Sequence, residues 1–215
     1  MKNNMFEIEY KGANCVVIST KKSKLIVDPK LSLAGLKDIS TKGAVEIATE
    51  ERFDTKNPDA ILSIESPGEY GIAGFDIRGI AARRHLDSEK DPLISTIYRV
   101  EAGDVRIGVI GNIFEKLSED QLEGLGVIDI LVLPVGGGGY TLDSTGAANV
   151  VRAVNPKVVI PVHYADSNLK YEVPQAELST FVSELGVSSE SVSKYTLKQY
   201  LSAPETLSIV QITRS

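Results

Sequence analysis

The sequence predicts an α/β protein in which two β-sheets pack together with helices on the outside. Three observations carry that expectation. Short β-type runs split by turn residues fill the first half of the chain. Strand and helix patterns alternate from about residue 115 onward. No linker, tandem repeat or low-complexity stretch divides the 215 residues, so one domain over 1–215 is expected.

The first seven runs read as strands: Phe6 to Tyr10, Cys15 to Ser19, Leu25 to Asp28, Ala60 to Ile64, Phe75 to Ile80, Ile94 to Val100 and Val105 to Ile110. Lys11-Gly12, Lys21-Lys22-Ser23, Pro67-Gly68 and Ala102-Gly103-Asp104 supply turn chemistry between them, which predicts hairpins. A helix starts after Ser118, an N-cap whose capping-box partner is Gln121. Ile128 to Val135 is the next strand. Asp143-Ser144-Thr145 offers caps for a helix through Val154, which stops before Asn155-Pro156, and Lys157 to Val162 follows as a buried strand. The last helix is Gln175 to Leu185 with Gly186 at C′, and Leu207 to Ile212 closes the pattern as a strand.

Composition narrows the function. A net charge of -6 opposes non-specific attraction to nucleic acid or anionic lipid, so neither is an expected partner. No apolar run approaches the roughly 20 residues of a membrane span, and the opening MKNNMFEIEY has no signal-peptide core, so a cytoplasmic protein is expected. The single Cys15 sits in an apolar run and reads as a small buried side chain. Only two histidines occur, His85 and His163, which limits any histidine-rich metal centre.

Four motifs stand in sequence: Ser66-Pro67-Gly68-Glu69-Tyr70, Thr96-Ile97-Tyr98-Arg99-Val100, Leu133-Pro134-Val135-Gly136-Gly137 running on to Tyr140-Thr141-Leu142-Asp143, and Ile160-Pro161-Val162-His163-Tyr164. Their order and spacing resemble the small cytoplasmic Zn-dependent hydrolases of the metallo-β-lactamase superfamily, over nearly the whole chain. The resemblance implies a four-layer αββα sandwich. It also implies metal-activated water attacking an ester, lactone, amide or phosphodiester.

The same resemblance locates where the metal should be. Members carry H-x-H-x-D-H after a buried strand. The matching stretch here is Glu50-Glu51-Arg52-Phe53-Asp54-Thr55, after the apolar Ala44 to Ala48, so Glu50, Arg52 and Thr55 fall where histidines would be and Asp54 is kept. A Gly-Asp pair whose Asp bridges two metals becomes Gly111-Asn112, and an amide lacks the bridging charge. His85 with Asp87 matches a family histidine region, and His163 matches the C-terminal ligand position.

Two readings follow. In the first, the fold has lost its hydrolytic centre and serves as a non-catalytic binding or assembly module. No metal cofactor is then expected, and the pocket is built from Glu50, Arg52, Asn112, Gly136 and Gly137. Arg52 pairs with Asp54 or Glu50, its fixed charge replacing that of a metal. The second is a hydrolase with one Zn, Mn or Fe ion on Asp54, His85 and His163. The run Gly136 to Gly139 could cradle an anion or be a turn that needs positive φ. Arg83-Arg84-His85 could meet a small anionic ligand or a carboxylate of the protein. Ser144 has no nucleophile context and reads as a cap. A homo-oligomer is compatible with either reading.

Overall fold

The computed structural model describes residues 6–88, 90–197 and 206–215. β1 (Phe6–Gly12) and β2 (Cys15–Ser19) form a hairpin, and β1 buries Phe6, Ile8 and Tyr10 while Glu7, Glu9 and Lys11 stay half-exposed. That alternation turns one face of the strand to the core. β3 (Lys24–Val27) pairs antiparallel with β2, and β4 (Val45–Ile47) and β5 (Leu62–Ile64) add on in parallel. β13 (Tyr195–Leu197) borders β1 on the far edge and completes a six-stranded sheet.

The second sheet has eight strands. β6 (Gly68–Ile72), β7 (Phe75–Ala82), β8 (Ser95–Ala102) and β9 (Val105–Val109) run as an antiparallel meander. β10 (Ile130–Pro134), β11 (Val158–Val162), β14 (Ser208–Ile212) and β12 (Ser189–Val192) continue it in parallel. Every residue of β10 and β11 is buried. This suits the near-continuous apolar runs of parallel strands covered on both faces.

Three α-helices are present among the described residues: α1 (Glu119–Leu125), α2 (Ser144–Val154) and α3 (Leu178–Leu185). Their ends follow the expected chemistry. Ser118 and Gln121 close a capping box, Asp143 accepts from the Gly146 N–H at 2.8 Å, and Gly186 takes the left-handed C-cap. α1 packs on β7 and α2 on β10, so these helices cover the outer face of the eight-stranded sheet. On the six-stranded sheet, Cys15, Val17 and Ile26 pack under Leu31 of a short 3₁₀ turn (Leu31–Ala34), with Leu36 and Ile39 against them. Cys15 is fully buried there. No described helix is long and apolar enough to cross a membrane.

The structure departs from the expected elements in few places. α3 starts at Leu178 rather than Gln175, because Ala176 bonds into a loop: its N–H donates to Gly136 O at 2.7 Å and its carbonyl accepts from Ala165 N at 2.9 Å. β5 begins at Leu62 because the exposed Ile61 still belongs to the preceding turn. β12, β13 and β6 lie at or beside sheet edges, where polar runs such as Ser189-Glu190-Ser191 give no apolar alternation to read.

One buried core spans the facing surfaces of both sheets, and polar bonds pin it at one end. The Tyr98 hydroxyl on β8 donates to Ala48 O at 2.8 Å, with Ile64 O at 3.2 Å, while the Thr96 N–H and Ser95 hydroxyl both donate to Thr49 O. The backbone just beyond β4 is therefore fixed from the opposite sheet. Tyr98→Phe keeps the packing but leaves buried carbonyls without that donor, and it should cost about 1–3 kcal/mol. An unchanged urea midpoint would contradict this clamp.

Candidate functional site

The parallel strands of both sheets end on one edge of the sandwich, and the loops that follow them meet there. Open α/β sheets place their ligand crevices at such carboxyl ends. Asp28 follows β3, Thr49 to Phe53 follow β4, Asn112 follows β9 and His163 follows β11. Asn14 joins them from the β1–β2 turn, because Val16 pairs with Val27 and so brings the turn beside Asp28. Asn14, Asp28, Arg52, Phe53, Asn112 and His163 line a cleft of about 560 Å³, counted with its open mouth. Asn14, Asp28, Asn112, His163, Glu172 and Gln175 are among its polar lining, Lys30 and Arg52 are its cations, and Leu31, Leu33 and Phe53 are among its apolar lining.

Glu50 stands behind Arg52. Its carboxylate is buried and meets Arg52 twice, at 3.0 Å from Nε and 3.3 Å from Nη2, with Arg84 Nη1 at 4.0 Å. Burial raises the Glu50 pKa, opposed by Arg52, Arg84 and a hydrogen bond from the Asn112 amide. Arg52 lies over the Phe53 ring, 4.7 Å from its centroid, and nears Tyr140 at 5.9 Å. The guanidinium is thus held at the cleft wall.

A chain of side-chain bonds crosses the cleft floor. Asn14 Nδ2 donates to Asn112 Oδ1 at 3.1 Å, and His163 Nδ1 lies 2.9 Å from Asn14 Oδ1. His163 has φ 51 and its ring stacks on Tyr171 at 4.7 Å. Burial, and then the nearby Arg52 charge, lowers its pKa to about 4, so the ring is neutral near pH 7. Asp28 takes the Thr49 N–H and hydroxyl, each at 2.7 Å. Burial still pushes its pKa up to about 7, Glu50 adding to the rise while the Thr49 and Asn14 bonds oppose it.

Of the residues the sequence singled out, Arg52, Asn112 and His163 line the cleft, and Glu50 supports Arg52. The alternative Arg52–Asp54 pairing does not form; the partner is Glu50. Asp54 is buried elsewhere, accepting from the Lys56 N–H at 2.8 Å and the Ser63 hydroxyl at 3.0 Å. Thr55 donates twice into Glu46, through its N–H and its hydroxyl. His85 has its Nδ1 3.3 Å from Ile113 O, and Arg84 is held by a bidentate pair with Asp87 rather than left free for a ligand. Gly136 and Gly137 do not line the cleft. A Cβ on Gly136 would strike the His163 carbonyl and Gln175, and Gly137 has φ 69, so both meet close-approach and turn requirements. Ser144 is the first residue of α2, and the cap is Asp143.

Sequence reasoning missed Asn14, Asp28, Tyr171 and Gln175. Asp28 was legible as a carboxylate that ends an apolar strand before Pro29. Asn14 carried no signal, since its role depends on three segments meeting.

The beta-lactamase superfamily domain model matches residues 7–163. The chain belongs to that superfamily. No curated protein sequence matches significantly. Among solved structures, a metallo-beta-lactamase superfamily protein from Thermotoga maritima assigned as a Zn-dependent hydrolase is 20% identical with a TM-score of 0.74, covering 97% of this chain and 100% of that one. The metallo hydrolase Igni18 from Ignicoccus hospitalis is 15% identical with a TM-score of 0.66, covering 98% and 95%. A protein from Parabacteroides distasonis assigned as a metal-dependent hydrolase is 16% identical at 0.67, covering 98% and 94%. At these identities the likeness is one of fold.

The superfamily implies a metal, and the residues at this cleft do not fit one. Its histidine is bonded to an amide, Arg52 adds a guanidinium, and of its two carboxylates Asp28 is taken up by Thr49, where closely spaced free anionic or imidazole donors would be needed. Among the described residues no three of His, Cys, Asp and Glu gather in a metal-holding group.

Asp28 gives a pH-dependent expectation. Its folded pKa of about 7 exceeds the ordinary 3.8 of the unfolded chain, so between those values the folded state holds a proton that the unfolded state has lost. Its contribution therefore falls as pH rises through that window and is flat above about 7. Relative to wild type, Asp28→Asn should gain stability progressively from pH 4 to 7, read as the difference between urea midpoints; a constant difference would contradict the raised pKa.

Proposed function

We propose that this protein is a non-catalytic, ligand-binding member of the beta-lactamase superfamily whose cleft takes a small organic anion. The observation that supports this most directly is the Arg52–Glu50 ion pair in the loop after β4. A permanent cation there repels a metal ion and attracts an anion. Arg52 retains guanidinium N–H donors beyond the two engaged with Glu50. The apolar side of the cleft, with Leu31, Leu33 and Phe53, suits a short hydrocarbon body.

The rival reading, a hydrolase with one Zn, Mn or Fe ion on Asp54, His85 and His163, asks for three residues that are engaged separately. Asp54 is bonded to Ser63, His85 lies against Ile113 and His163 is bonded to Asn14. Assembly is compatible with the binding role. Leu86, Leu93 and Ile94 expose apolar surface within one segment, and light scattering would show whether copies associate.

Two measurements test the proposal. Elemental analysis of protein purified without chelator should find no stoichiometric Zn, Mn or Fe. Stoichiometric metal that disappears in His163→Ala would establish the hydrolase reading instead. In calorimetric titration with propionate and butyrate, Arg52→Gln keeps a donor toward Glu50 but removes the charge, and should weaken binding by about tenfold or more.

A further inference from the structure

We propose that Glu50, Asn112, Asn14 and His163 form a one-directional hydrogen-bond relay that presents the His163 Nε2 lone pair to the cleft, so that the site prefers hydroxylated carboxylates over their deoxy counterparts. The ligand preference rests on the anion reading above; the relay itself does not. Its direction follows from one chemical fact, that an ionised carboxylate only accepts hydrogen bonds.

The Asn112 amide eases the charge of the buried Glu50 carboxylate, which suits an NH₂ facing that side. The Asn112 carbonyl then faces Asn14, whose Nδ2 donates to it at 3.1 Å. Asn14 Oδ1 is left facing His163 Nδ1 at 2.9 Å. Two acceptors cannot share that contact, so Nδ1 carries the hydrogen, and in the neutral ring Nε2 carries the lone pair. Stacking on Tyr171, with 22° between the ring planes, holds the imidazole in that orientation. Arg52 and Arg84 keep the head of the relay charged, and Arg52 lines the same cleft as His163. Among the described residues Nε2 has no hydrogen-bond partner.

The cleft thus offers a cation, Arg52, and a neutral acceptor, His163. A carboxylate carrying a hydroxyl satisfies both.

The relay is testable without any ligand, because the chain has only two histidines. Ring-nitrogen NMR on histidine-labelled protein, assigned with His85→Gln, should show His163 protonated at Nδ1 and bare at Nε2. The opposite tautomer in wild type overturns the proposal. Glu50→Gln has nearly the same shape but can donate as well as accept, so it should release the relay and mix the two tautomers while the backbone spectrum stays dispersed. Asn14→Ala should do the same from the near end. An unchanged His163 tautomer in both variants overturns the relay.

Titrations then compare lactate with propionate and β-hydroxybutyrate with butyrate. The hydroxy acids should bind about two- to tenfold tighter, and the preference should vanish in Asn14→Ala while Arg52-dependent binding of the deoxy acids survives. Equal affinities in wild type overturn the hydroxyl preference and leave the anion reading standing. Binding of none of the four acids overturns both.

Discussion

The buried carboxylate of Glu50 is the constraint on which the arrangement of the cleft depends. A charge taken out of water must be paired and hydrogen-bonded, or it protonates or forces the structure open. Here Arg52 supplies a bidentate partner, Arg84 adds a more distant charge and Asn112 an amide. Each partner comes from a different part of the chain. Satisfying one carboxylate therefore ties together the loop after β4, the segment after β7 and the turn after β9.

That arrangement depends on the two sheets being clamped where the site sits. Thr49 is held from the opposite sheet through Ser95 and Thr96, and its own N–H and hydroxyl hold Asp28. Gly111 permits this closeness, since a Cβ there would lie 2.5 Å from Thr49. The backbone under the cleft is therefore set by packing and hydrogen bonds of the protein alone. Buried polar groups in such a network are costly to leave unpaired, which gives the floor a single arrangement.

The fold is that of the superfamily, while the cleft chemistry differs from what the superfamily implies. Arg52 puts a fixed positive charge at the cleft wall, beside the amides of Asn14 and Asn112. His163 keeps its place after β11 but is bonded to Asn14 and stacked on Tyr171. The strand ends here converge amides, a cation, a histidine and the Asp28 carboxyl. Fold and site chemistry are separable in this way because strand order fixes where loops meet, not which side chains they carry.

Much of this was written in the sequence by itself. The apolar runs, the Ser118–Gln121 box, the Asp143 cap and Gly186 fixed most strands and helices through local chemistry, and the four motifs pointed to the superfamily. The sequence also set the number of histidines at two. It did not distinguish Glu50 from Asp54 as the partner of Arg52, and it did not separate His163 from Asp54 and His85. It assigned Gly136 and Gly137 to the pocket, although close packing and turn geometry account for them. Nor could it place Asn14, which lies 149 positions from His163 along the chain and bonds to it directly. Only the tertiary structure decided those contacts. Periodicity and capping act within a few residues, whereas the cleft is made by loops from distant segments that meet only after both sheets have closed.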